Sequence, residues 1–525
     1  MKKTLLFLLP LALLASCHDR EPDIPEETGE AYSVSHEMIV LGEKLEDPYS
    51  VSNMTKALQS LYGTKAPRET LQATDVYVRF LPSCDADFET LRRKGVDLTD
   101  HPLDYRIVVD GDYYHDPQLP QGSITWQYAV VKPDFAFPQG IRYEILDDCY
   151  IPDTEMLTRS ADGVDWEAVE RESFRLTGNA DMLEGQTRSD SRLKPSGDIL
   201  IVDPLYNGGD AIGVAGVKVV ANRFVKFASA YTDAEGHYEI DKSFSSSPRY
   251  RLVFQNRKGF GIGLNLLLVQ GSVSTLGKNP SSGVSVTIDG SSDRKLFTRC
   301  VVNNAAWDWY ERCSAEDDPV RTPPSNLRLW LFRNLSSSAA PMLQQGVFVD
   351  GGIVKKYLGE YTDILKMFLP DIALGLKGSE SYQQVYEETV RELAHASLFM
   401  RVGKDWWEGY AENILKAFVS SGFRNFGTGS ETGSGYCELS EMWSYYMDNV
   451  VMRERYGMDF PTAGTSFWFY PQIFLYMDDR GLGAGKIYSA YGEDVPNLNA
   501  LKERLNALYP EQRSMVVQAF ERYGR

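Results

Sequence analysis

Histidine is scarce in this chain: there are six in 525 residues, His18, His36, His101, His115, His237 and His395, and only the last falls in the C-terminal half. That scarcity excludes a metal centre built from several histidines of the C-terminal half. Positive charge is in deficit too, with 54 Lys and Arg against 73 Asp and Glu and a formal net charge of −19. Such a balance argues against nucleic acid as a partner and favours solubility. Beyond Leu14 no apolar run approaches the roughly twenty residues of a membrane helix. Besides Cys17 there are five cysteines, Cys84, Cys149, Cys300, Cys313 and Cys437, an odd number that leaves at least one thiol free. Cys300 and Cys313 invite pairing, but Phe297, Val301, Ala305 and Trp309 recur at helical spacing. A continuous helix would hold the two α-carbons about 20 Å apart, so no bridge is expected there.

What is present is apolar and aromatic content, 43% and 12%, enough for packed cores in a length that suggests about three domains. Lys2 and Lys3 followed by the apolar stretch Thr4 to Leu14 read as an export signal. It closes Leu14-Ala15-Ser16-Cys17, which resembles a bacterial lipobox. The resemblance implies removal of residues 1–16 and a lipid on Cys17, and hence a chain in the bacterial cell envelope, tethered to the outer or cytoplasmic membrane. An acidic start after Cys17 resembles signals for display on the outer membrane. Residues 17–65 then form an acidic tether, rich in Glu, Asp and Pro from His18 to Tyr32, and a short helical lead-in.

The expected fold class is multidomain α+β. Residues 66–153 alternate apolar and polar, as in Val76-Tyr77-Val78-Arg79-Phe80-Leu81 and Tyr105-Arg106-Ile107-Val108-Val109, and predict a β-rich N-terminal domain. The polar stretch 154–196, with a helical pattern around Trp166-Glu167-Ala168-Val169, is expected to be a linker. Across 197–292 a series of strands carries Thr232-Asp233-Ala234-Glu235-Gly236-His237-Tyr238. That turn resembles the T-D-x-x-G-x-[FY] hallmark of carboxypeptidase regulatory-like β-sandwiches, which implies a structural module with His237 as an exposed turn residue. Residues 293–525 turn helical.

The chemistry concentrates at Val390-Arg391-Glu392-Leu393-Ala394-His395. This is the zinc-protease helix motif H-E-x-x-H with arginine in place of its first histidine. In the intact motif two histidines one turn apart bind Zn²⁺ and the glutamate takes a proton from the metal-bound water. Ser381 with Gln384 predicts a capping box, and Tyr382, Val385, Tyr386, Val390, Leu393 and Ala396 form an apolar stripe, so the motif is expected on a helix. A later helix from Cys437 to about Arg455 offers Glu441 as a carboxylate ligand.

Taken with Val402-Gly403, Trp406-Trp407, Gly435 to Trp443, Phe467 to Ile473 and Val302 to Tyr310, the motif region resembles a family of bacterial lipoproteins with an intact H-E-L-A-H-A motif. Those relatives pair a β-sandwich module with a zincin-like, zinc-metallopeptidase domain. The resemblance implies Glu392 as general base and His395 and Glu441 as zinc ligands, with Arg391 standing where a ligand is expected. A guanidinium has no lone pair for a metal, so zinc should be weak or absent.

Two roles are open to Arg391: an ion pair with Glu387 or Glu388 along the helix, or a cation in the metal's place that neutralises Glu392 or Glu441. The leading expectation is a lipid-anchored envelope protein with a degenerate metallopeptidase-like domain acting in binding or scaffolding, with a protein or peptide as partner. The alternatives are an active zinc-dependent hydrolase completed by Glu438 or by a histidine of the N-terminal half, and a surface lipoprotein that binds glycans or proteins.

Overall fold

The computed structural model describes residues 38–524 except 64–70, 120–123, 154–162, 184–193, 264–270, 292, 316–318, 334–337, 348–369, 421–425 and 458–466. Cys17, the signal and the acidic tether lie outside the described residues. The architecture is mixed α+β, with antiparallel sheets in the N-terminal half and helices mostly C-terminal. Among the described residues no sheet closes into a barrel.

The N-terminal part contains β1 (Val40–Lys44), α1 (Val51–Tyr62), β2 (Asp75–Leu81), α2 (Asp85–Arg93), β3 (Tyr105–Val109), β4 (Gln127–Val131) and β5 (Arg142–Cys149). Its main sheet is antiparallel in the order β4-β2-β5, and β1 pairs with β3. Within the stretch expected to link domains, Trp166–Leu176 forms helix α3, whose Val169, Ser173 and Phe174 are buried. Ser173 donates to Pro48 O at 2.5 Å, so this helix is packed against the lead-in.

Two four-stranded sheets follow. One joins β6 (Ser196–Val202) to β7 (Ala211–Gly213), and the other includes β8 (Lys218–Arg223) and β9 (Lys226–Tyr231). Next come β10 (His237–Glu239), β11 (Arg249–Val253), β12 (Gly261–Ile262), β13 (Val273–Lys278) and β14 (Val286–Ile288). The orders are β10-β6-β14 and β13-β11-β8-β9. The Thr232–Tyr238 turn is held by its own side chains. Thr232 Oγ1 donates to Val214 O at 2.6 Å, and Asp233 Oδ1 accepts from the amides of Glu235 and His237 at 3.1 and 2.8 Å. Gly236 is in the left-handed region at φ 84°, where a Cβ would come within 2.3 Å of Ile199 O. His237 is exposed on β10 and its Nδ1 lies 2.8 Å from Asp198.

At the β8–β9 hairpin tip Phe224 and Val225 are buried in a cluster with Tyr49, Tyr77, Leu103 and Phe174 of the N-terminal part. Phe224 holds φ 46°, and next to it Lys226 forms a fully buried ion pair with Glu170 at 3.1 Å.

The C-terminal part contains α4 (Arg294–Ser314), β15 (Arg328–Phe332), β16 (Ile372–Gly375), α5 (Tyr382–Val402), α6 (Lys404–Ser420) and α7 (Ser434–Tyr456). It ends with α8 (Gln472–Asp478), α9 (Ala484–Ser489), α10 (Leu498–Leu508) and α11 (Arg513–Arg522). Within the region expected to be helical, Pro510 opens a short 3-10 turn between α10 and α11. Strand β12 pairs in parallel with β15, and β15 with β16. One hydrophobic core runs from Ile199 and Ile201 of β6 through Val301 of α4 and Leu393 of α5 to Phe520 of α11. All five cysteines in the described residues are free, including Cys300 and Cys313, which both lie on α4.

Candidate functional site

Helix α5 begins with the expected capping box: Gln384 N donates to Ser381 Oγ and Ser381 N to Gln384 Oε1, both at 3.1 Å. Trp309 Nε1 of α4 donates to Ser397 Oγ at 2.9 Å, and Trp443 Nε1 of α7 donates to Ala394 O at 3.1 Å. Helix α5 is thus enclosed from both sides. Arg391 meets Asp448 while His395 meets Ser440 and Glu441, so α5 and α7 run antiparallel.

The residues singled out in the sequence do converge. His395 Nε2 lies 3.6 Å from Glu441 Oε2, and its Nδ1 lies 2.8 Å from Ser440 Oγ. Tyr410 of α6 donates to Glu441 Oε1 at 2.7 Å and stacks on the imidazole at 5.9 Å between ring centres. Glu392, His395, Ser440 and Glu441 have no exposed surface. Neither oxygen of Glu392 has a hydrogen-bond partner, nor do His395 Nε2 and Glu441 Oε2.

Burial raises the Glu392 carboxyl to about 8; the charge of His395 opposes the rise, and Glu441 and Glu388 add to it. A carboxyl held protonated at neutral pH is not a ready base. For His395, burial acts to lower the pKa, but the neighbouring Glu441 carboxylate outweighs it and the net direction is upward. The geometry of the centre is that of a buried histidine–glutamate pair, 3.6 Å apart and closed off by Tyr410 and Ser440.

Arg391 corrects one of the two expectations. Its guanidinium does not take the metal's place against Glu392 or Glu441. It donates to Glu387 and Glu388, each at 3.3 Å, and to Asp448 at 3.1 Å, and lies 4.6 Å over the Tyr445 ring. The physical reason is the number of acids on that side: Glu387, Glu388 and the buried Asp448 all lie within reach of the guanidinium, whereas Glu441 is already held by His395 and Tyr410.

A catalytic zinc site requires three lone-pair donors and an open position. Here His395 Nε2 and Glu441 Oε2 are the only two on the expected ligand set, so the residues do not fit that centre. Among the described residues no group of three His, Cys, Asp or Glu side chains is arranged to hold a metal ion. Of the N-terminal histidines, His101 is buried against Asp100 and Thr99, and His237 faces Asp198. Ser440, His395 and Glu441 form a serine, histidine, acid chain, but the ring nitrogens are reversed from those of a hydrolytic triad, with the serine on Nδ1 and the acid on Nε2, and the serine is sealed from any substrate.

Sequence reasoning missed Ser440, Tyr410 and Asp448. Asp448 lies on the Glu441 helix about two turns beyond Glu441, while Arg391 lies one turn before His395, so the antiparallel order brings both toward one end of the helix pair and the length of the arginine side chain closes the offset. No family model matches the chain, and neither a curated protein nor a solved structure matches it.

Proposed function

We propose that this chain is a lipid-anchored bacterial envelope protein, tethered through Cys17 and acting in binding or scaffolding. In this reading its C-terminal part is a zincin-like domain whose metallopeptidase site has become a structural ion-pair cluster, and residues 197–292 are a regulatory-like β-sandwich. The observation that carries it is the direction of Arg391, away from His395 and Glu441 and into Asp448, Glu387 and Glu388. The two four-stranded sheets and the Thr232–Tyr238 turn support the module reading. The sealed Ser440, His395 and Glu441 speak against the alternative of an active hydrolase.

Elemental analysis of the purified protein tests it. The wild type is expected to carry far less than one zinc per chain. Arg391→His combined with Asp448→Asn supplies a third donor and removes the carboxylate that Arg391 serves, and should gain zinc. Stoichiometric zinc in the wild type would overturn the proposal.

A further inference from the structure

Away from the α5–α7 centre, a cavity of about 220 Å³ lies between the N-terminal part and the β8–β11 face of the following sheets. Four cationic residues line it, Arg106, Arg223, Arg249 and Lys278, against the single acid Asp181, while Leu103, Ile107, Met182 and Phe224 supply apolar wall. Arg249 is paired with Asp110, and Arg106 reaches Glu43 and Asp181 at 3.3 and 3.4 Å. Arg223 is different. It makes no ion pair with any described residue, donates only to Met182 O at 3.3 Å, and its Nε is buried without a partner.

Behind the wall stands a second such cation. Arg251 is 4% exposed, its Nε also has no partner, and it donates to Asn222 Oδ1 at 2.8 Å, a residue that itself lines the cavity. Three other cations of the interior do have carboxylates: Lys226 has Glu170 at 3.1 Å, Arg299 has Asp112 at 3.0 Å and Arg455 has Asp203 at 2.9 Å. An arginine stays protonated at neutral pH even here, where burial chiefly, with the like charges of Arg249 and Arg106, pulls Arg223 down to about 10. A half-buried guanidinium that makes no ion pair with any described residue, and has only the Asp181 carboxylate of the cavity wall as a more distant opposing charge, is costly, and an anion from solution relieves that cost.

We propose that this cavity binds a small organic anion, a carboxylate with an apolar body, through the guanidinium of Arg223. The carboxylate accepts from Arg223, in the positive field of Arg251 behind it, and the apolar part lies against Leu103, Ile107 and Phe224. Because Arg106 and Arg249 already have acids, the site takes one anionic group rather than several.

Titration calorimetry and thermal unfolding of the full chain at low salt, with benzoate as probe and benzamide as its neutral counterpart, test this. Benzoate is expected to bind and raise the Tm, and benzamide to do neither. Arg223→Gln should weaken benzoate by about tenfold or more and, without ligand, be no less stable than wild type because it removes an unmatched charge. Arg223→Lys, which keeps the charge, should retain benzoate binding. Absence of benzoate binding, equal binding of benzamide, or unchanged affinity in Arg223→Gln would overturn the proposal. Inorganic phosphate that binds more tightly than benzoate would overturn the organic part of it.

Discussion

Arg391 joins α5 to α7 by satisfying Glu388 and Asp448, both nearly inaccessible to water, together with the half-buried Glu387. Arg391→Ala would leave those carboxylates uncompensated in the interior. Loss of one partner of a buried pair costs about 3–5 kcal/mol, and urea unfolding of the variant should show a loss in that range. Asp371 offers a pH-dependent counterpart. It is fully buried, and burial raises it from 3.8 to about 6 although Gln345 and the Arg328 amide donate to it. Between those two values the folded state keeps a proton that the unfolded chain has released, so stability is greatest below about pH 4 and is lost as pH rises through about 6. The contribution is on the order of 3 kcal/mol. Subtracting the Asp371→Asn pH profile from that of the wild type should isolate this fall, and identical slopes in the two proteins would refute it.

Among the elements, α4 and α5 could be read from the chain because each carries apolar residues at helical spacing, with Ser381 and Gln384 marking one start, and the helix expected from Cys437 to about Arg455 is α7. The strands β2 and β3 were legible from the alternation of apolar and polar residues, and β6 opens the strand series expected from residue 197. Helix α2 was not, since its nine residues are mostly charged or small and its start lacks a side-chain cap. The parallel pairing of β12 with β15 was also hidden, because register between distant strands leaves no mark in either run alone. For the candidate site, the convergence of His395 with Glu441 followed from the order of the helices, whereas the direction of Arg391 depended on a carboxylate 57 residues away. One turn carries its requirement openly: Gly236, at φ 84° and against Ile199 O, admits no side chain. Gly236→Ala should destabilise the protein by about 1–3 kcal/mol from backbone strain alone, read as a lowered midpoint in denaturant.

Considered whole, the chain combines a large acidic surplus with an apolar N-terminal stretch that leads into the lipobox-like Leu14-Ala15-Ser16-Cys17. Among the described residues no helix is long and apolar enough to cross a membrane. If the lipid at Cys17 is the attachment, Cys17→Ala expressed in a bacterial envelope should appear in the soluble fraction, and unchanged recovery with membranes would remove that part of the proposal. The core that runs from Ile199 to Phe520 has a kinetic consequence. Amide protons of β6 and of α11, more than three hundred residues apart in the chain, belong to one packed body and should exchange with deuterium through the same opening event. The separate clusters of the N-terminal part can open at lower free energy, except where the Phe224–Val225 hairpin tip is seated among Tyr49, Tyr77 and Phe174. Deuterium uptake at that tip would then report the moment at which the two bodies part.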